Sequence, residues 1–295
     1  GFEWNDTHIM VRDMLKSFCD NELVPHLDAL DTEQMLPYPI MRKMFDTLGM
    51  ADMALGQFQG RLAKERAAAA GDAPSESGDG AALPGMTAGD MAALQAIPTI
   101  ELSKHCPGFV TALGVSVGLT AEAINSKGTF EQRERWVPDL LRLDKIGAWA
   151  ITEPGSGSDA FGSMRCTAKV DGDGFILNGQ KTFITNGPHA DTIVFICKLD
   201  NGDDWKDRPI LTFVLDGDTP GLTRGKAFRK MGMHSSPTGE LFLENVRISA
   251  DRLLGESLEM AVSGGRKGAK ETFGKERTGV SAMALGMVEQ CLELS

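Results

Sequence analysis

Trp149-Ala-Ile-Thr152-Glu-Pro-Gly-Ser-Gly-Ser158-Asp159 is a strand-like string that runs straight into a loop of glycine and serine. Ala148–Thr152 has the alternating and β-branched character of a half-buried strand. Gly155, Gly157 and Ser158 then form a loop whose backbone N–H groups, unshielded by a Cβ, can come close to an anionic group. A Gly-Ser-Gly-Ser run by itself is ordinarily no more than a turn, so its neighbours decide its meaning.

Those neighbours keep a period of two. Further strand strings stand at Cys166–Val170, Gly174–Leu177, Thr182–Thr185, Thr192–Lys198, Ile210–Leu215 and Glu240–Ile248. Asp171–Gly172 and Asn178–Gly179 have the composition of hairpin turns. Short strands this dense predict a compact β-domain, a barrel or sandwich. Upstream the period is helical. Asn5 to His26 carries Ile9, Met10, Met14, Leu15, Phe18 and Leu23 at helical spacing, with Pro25 ending the run. A second helix is predicted from Pro39 to Leu48 and closed by Gly49. Thr87 is a candidate N-cap for a helix to Ser103, Phe109 to Ser126 reads as a buried small-residue helix, and Thr129 with Gln132 makes a capping box for a helix to Leu140. Between these, residues 62–90 hold Ala67–Ala70, several glycines, Pro74 and Pro84, the composition of a mobile insertion, with Leu62 to Ala70 open to a short exposed helix. After Gly255 the helical period returns. The expected organisation is α+β: a helical N-terminal domain over 1–147, a middle β-domain over 148–254, and the start of a C-terminal helical bundle over 255–295.

Composition narrows the function. A net charge of −11 argues against a nucleic-acid surface, which needs basic patches. The five cysteines, at 19, 106, 166, 197 and 291, are scattered, odd in number and without C-x-x-C pairs, so free thiols of a cytoplasmic protein are expected. The histidines form no ligand cluster, and no metal is expected. Phe109 to Ile124 reads as too short and too polar to span a bilayer, and the N-terminal residues show no basic-then-apolar secretion signal.

Three segments together resemble one family. Beside the Trp149–Asp159 string stands Leu177-Asn-Gly-Gln-Lys181-Thr-Phe183-Ile-Thr185-Asn186-Gly187. It is followed by Lys230-Met-Gly-Met-His234-Ser235-Ser236-Pro-Thr238, leading through Val246 to Gly255. In order and spacing these are similar to the acyl-CoA dehydrogenase family, over essentially the whole chain except the insertion. The resemblance implies FAD as cofactor, with Trp149, Ile151, Thr152, Gly157, Ser158, Phe183 and Thr185 at the flavin. Thr152 and Thr185 would bond the isoalloxazine, and Phe183 stands where the family usually has Trp. It also implies an acyl-CoA substrate contacted by Ser158 and Arg277, fatty-acid β-oxidation as the setting, an electron-transfer flavoprotein as acceptor, and a homo-oligomer, dimer or tetramer.

Removing a proton α to a thioester requires a carboxylate of raised pKa in a dry pocket. The family places its Glu either on a loop near the C-terminus or on an early C-terminal helix just before an Arg. Phe273-Gly-Lys-Glu276-Arg277 coincides with the second position, so Glu276 is the expected base, with Arg277 orienting the carboxylate or holding it charged through a paired hydrogen bond. On a helix Phe273, Glu276, Arg277 and Val280 would share a face. Lys275 or Glu271 at the site, or a Glu beyond Ser295, stays open, because the family pattern continues past that residue. Also open are an oxidase or flavin monooxygenase of the same fold, and a non-catalytic FAD-sharing partner subunit.

Overall fold

The structure is a computed structural model that describes residues 4–71 and 86–295, with side chains omitted for 260–277. Most of the predicted 62–90 insertion, residues 72–85, therefore lies outside the described residues. The chain divides into two compact units: residues 1–110, 232–235 and 275–295 form the first, and residues 111–231 and 236–274 the second.

Unit 1 is helical. Helix α1 (Asp6–Phe18) opens on a capping box in which Asn5 and His8 bond each other's backbone N–H groups. The predicted stop at Pro25 is not a stop. The chain passes through a π-turn at Cys19–Leu23 and a 3-10 turn at Val24–His26 into α2 (Leu27–Asp31). Pro25 sits in the first turn of the new helix, where its missing N–H has no partner to lose. Helix α3 (Tyr38–Thr47) ends at Gly49, whose φ of +65° supplies the left-handed closure. Residues 62–69, expected as loop or short exposed helix, belong to the last turns of a longer helix, α4 (Met50–Ala69), with Phe58 and Leu62 buried. Two buried apolar residues are too few for visible periodicity, and alanine propensity carries the rest. Helix α5 (Ala88–His105) begins on the Thr87 cap and packs on α1, where Asn5 Nδ2 donates to Asp90 Oδ1 at 3.3 Å.

Unit 2 joins helices to a sheet. Helix α6 (Pro107–Leu113), which belongs to this unit from Thr111 onward, a π-helical stretch (Gly114–Thr120) and α7 (Ala121–Lys127) run on without interruption. The continuous run is longer than the sequence predicts for this segment. Among the described residues, Pro107–Lys127 is a helix long and apolar enough to cross a membrane by length and composition. Half of its most apolar window is buried in the protein, as in a core helix. Helix α8 (Phe130–Leu141) starts on the predicted Thr129–Gln132 box. Gln132 Nε2 also donates to the carbonyls of Asp251 and Leu253, both at 2.8 Å, tying the helix to the end of the sheet.

The strands are β1 (Gly147–Ala150), β2 (Thr167–Asp171), β3 (Gly174–Thr185), β4 (Thr192–Leu199), β5 (Ile210–Asp216), β6 (Leu222–Arg224) and β7 (Thr238–Ser249), and they form a single seven-stranded sheet. The order is β1-β4-β2-β3-β7-β6, with β5 on the other edge of β4. Every residue of β4 is buried, Lys198 included, so this strand reads as a continuous apolar run without alternation. Phe175 and Phe213 meet edge-on at 5.1 Å within the core formed by Leu177, Phe195, Leu215 and Leu241. Asp171–Gly172 does open a tight β2–β3 hairpin. Asn178–Gly179 does not turn: both residues lie inside β3, at a bulge against β7. Gly179 is required there, since its φ is +138° and a Cβ would fall 2.4 Å from Cys166 Sγ.

Candidate functional site

Two of the family-like segments, those at Trp149–Asp159 and Leu177–Gly187, meet in unit 2 at the end of β1 and the end of β3. Trp149 pairs with Val194 across the parallel β1–β4 ladder. Ile151 is buried, and Thr152 is half-buried where the chain leaves the sheet. Glu153 and Ser156 exchange backbone hydrogen bonds at 3.1 and 3.0 Å, closing a tight turn over Pro154 and Gly155. Ser156 Oγ then donates to the Asp159 carbonyl at 2.7 Å. A Cβ added at Gly155 or Gly157 would meet nothing within 4 Å, so this backbone is open to an incoming group. Ser158 is exposed beside them.

The base of the loop is ionic. Lys181 lies in β3 with its side chain fully buried, and its Nζ donates to the Ile151 carbonyl at 2.9 Å and to Glu153 Oε1 at 2.8 Å. Glu153 also accepts from the backbone N–H of Cys166 at 3.0 Å and of Arg165 at 2.5 Å. Burial pushes the Glu153 carboxyl up. The Lys181 ammonium and the hydrogen bonds from Lys181 and Cys166 outweigh burial and hold it below the ordinary carboxylate value. Immediately after Lys181, the Thr182 N–H donates to the Thr152 carbonyl at 2.9 Å, setting the two strand ends side by side.

Beyond that bond β3 becomes irregular. Phe183 has a φ of +55°, leaves its ring 67% exposed, and packs on Phe228 at 5.3 Å between centroids. A bulky residue in the left-handed region is uncommon and marks a backbone held by its surroundings. Thr185 pairs with Thr238 of β7. Asn186, buried and at φ +62°, donates through Nδ2 to the carbonyls of Ala112 and Gly147, each at 2.9 Å. The Gly147 N–H in turn donates to Ser116 Oγ in the π-helical stretch at 2.8 Å.

Asn186→Ala is therefore expected to cost about 2–4 kcal/mol. It leaves two buried carbonyls short of a donor and puts alanine where asparagine tolerates positive φ. Urea unfolding followed by tryptophan fluorescence measures it.

The structure thus gathers Trp149, Ile151, Thr152, Gly157, Ser158, Phe183 and Thr185 around one pair of strand ends. Helix α9 (Leu258–Glu293) contains Glu276 and Arg277, whose side chains lie outside the described residues. Glu153, Lys181 and Asn186 carry the geometry, although in the sequence they stand only as letters of a motif. The available signal was a lysine inside an otherwise half-apolar strand, since a buried charge needs a partner.

The acyl-CoA dehydrogenase middle-domain pattern matches residues 148–246, and the acyl-CoA dehydrogenase N-terminal-domain pattern matches residues 81–144. An acyl-CoA dehydrogenase of known structure from Geobacillus kaustophilus is 30% identical, with a TM-score of 0.79 over 99% of this chain and 68% of that one. The chain belongs to the acyl-CoA dehydrogenase family. Its fold is that of the family: a helical N-terminal region, a middle β-sheet domain and a C-terminal helix. The mitochondrial short-chain specific acyl-CoA dehydrogenase of Rattus norvegicus is 32% identical over 99% of the chain. The chain spans 62% of that relative's length. A glutaryl-CoA dehydrogenase from Mycobacterium smegmatis, solved in complex with FADH2, is 27% identical with a TM-score of 0.72, over 98% of this chain and 64% of that one.

Proposed function

We propose that the protein binds FAD in unit 2 and oxidises the Cα–Cβ bond of an acyl-CoA thioester to a trans-2-enoyl-CoA. The observation that carries this is the pairing of an open glycine loop with an exposed aromatic strand end, both set on one buried ionic base, in a member of this family. The residues suit the cofactor. Gly155 and Gly157 leave backbone donors open to a pyrophosphate. Thr152, Ser158 and Thr185 add hydroxyls, and Phe183 offers an exposed ring to a planar heteroaromatic system.

When bound, FAD supplies the hydride acceptor for the substrate's β-carbon. Glu276 takes the α-proton, the electron pair of that C–H bond becomes the new double bond, and Arg277 orients the carboxylate. Ser158 contacts the substrate as well as the cofactor. An electron-transfer flavoprotein is the acceptor that regenerates the oxidised enzyme, which works in the cytoplasm as a dimer or tetramer.

The test is reconstitution with FAD, then an anaerobic panel of acyl-CoAs read by bleaching of the flavin absorbance. Bleaching by at least one acyl-CoA, with little peroxide once air is admitted, is the expected result. A protein that takes up no flavin overturns the proposal, and rapid peroxide release assigns an oxidase instead.

A further inference from the structure

The Glu153–Lys181 couple touches the chain at more places than an ion pair needs. Lys181 Nζ reaches Ile151 and Glu153, and Glu153 reaches Arg165 and Cys166. These residues stand on both stems of the loop that carries Gly155, Gly157 and Ser158. The loop is thus closed at its base by one carboxylate, and that carboxylate is pinned to β3 by one ammonium. The Phe195 ring lies 5.3 Å below the ammonium, and neither charged side chain is more than 4% exposed. Such a pair is an inefficient source of stability, since desolvating two charges offsets most of their attraction. What it does supply is register: Lys181 is seated next to Thr182, whose N–H donates to the Thr152 carbonyl at 2.9 Å.

We propose that Lys181 and Glu153 are positioning residues for the flavin, presetting the distance between the glycine loop and the Thr152 and Phe183–Thr185 strand ends. The inference rests on the FAD reading above. In the wild-type apoprotein the loop stands ready. Without the couple, FAD has to order the loop on binding, and affinity falls.

Three proteins test this: the wild type, Lys181→Met, and the double variant Glu153→Gln with Lys181→Met. The last leaves neither charge of the couple without the other. FAD affinity is measured by flavin fluorescence quenching on the apoproteins, and amide hydrogen exchange is followed in parallel. The double variant is expected to keep wild-type protection in β4 and β5 and to exchange faster at Ser156, Arg165 and Cys166, whose N–H groups donate to Glu153. It should bind FAD about 10- to 100-fold more weakly, as small misplacements in a preorganised site do. Binding within about twofold of wild type overturns the proposal. Loss of β4 and β5 protection in the double variant also overturns it, because the couple then serves the fold and not the loop. Failure of the wild type to bind FAD counts against the flavin reading instead.

Discussion

Glu276→Gln is expected to slow anaerobic flavin reduction by acyl-CoA by about 10²- to 10⁴-fold, the range a well-placed general base contributes. That corresponds to about 2.7–5.5 kcal/mol of barrier. The amide is close to isosteric with the carboxylate, so FAD content and thermal midpoint should stay at wild-type values, which separates a chemical defect from a folding one. Glu276→Asp keeps the carboxylate but sets it back by one methylene, and partial activity is expected. Stopped-flow absorbance with a saturating acyl-CoA reads the effect directly. Reduction of Glu276→Gln at the wild-type rate would remove Glu276 from the mechanism and assign the base to another carboxylate.

Lys181→Met should have the largest effect on stability, about 3–5 kcal/mol, because it strands the Glu153 carboxylate in the core without its counter-ion. Adding Glu153→Gln removes that charge and should recover most of the loss, giving a strongly non-additive cycle. Urea midpoints of the wild type, Lys181→Met, Glu153→Gln and the double variant measure it. The same pair predicts an acid dependence. The Glu153 carboxyl is held below its ordinary value of 4.5 in the folded protein. The stability it contributes is therefore complete above that value and drains away as pH falls through the lower folded pKa. Titrating the urea midpoint from neutral pH down through the carboxylate range should show the wild type losing this advantage over the double variant. An advantage that stays constant would mean that Glu153 is not ionised in the folded state.

Local signals read correctly where the physics was itself local. The Thr129–Gln132 and Thr87 caps, the Gly49 closure and the Asp171–Gly172 hairpin each depend on a few adjacent residues, and all stand where the sequence puts them. Asn178–Gly179 has equally good turn chemistry. It became a bulge because β7 pairs with β3 on both sides of it, and that partner lies more than 60 residues downstream. Helix α4 has no clear signature in the sequence because a helix that buries only Phe58 and Leu62 carries little periodicity.

The amino-acid sequence by itself determined the family, the helix–sheet–helix order and the FAD expectation. These rest on residue types at fixed spacing, which a chain displays before it folds. Only the tertiary structure decided that Glu153, Ile151 and Lys181 form one buried base beneath the glycine loop, that Asn186 fastens β1 to the helical segment at Ala112, and that Phe183 is exposed in a left-handed backbone. Each is a contact between residues far apart in the chain or a torsion imposed by such contacts. A lysine in a strand has the same letter whether it faces water or a carboxylate, and burial tells the two apart.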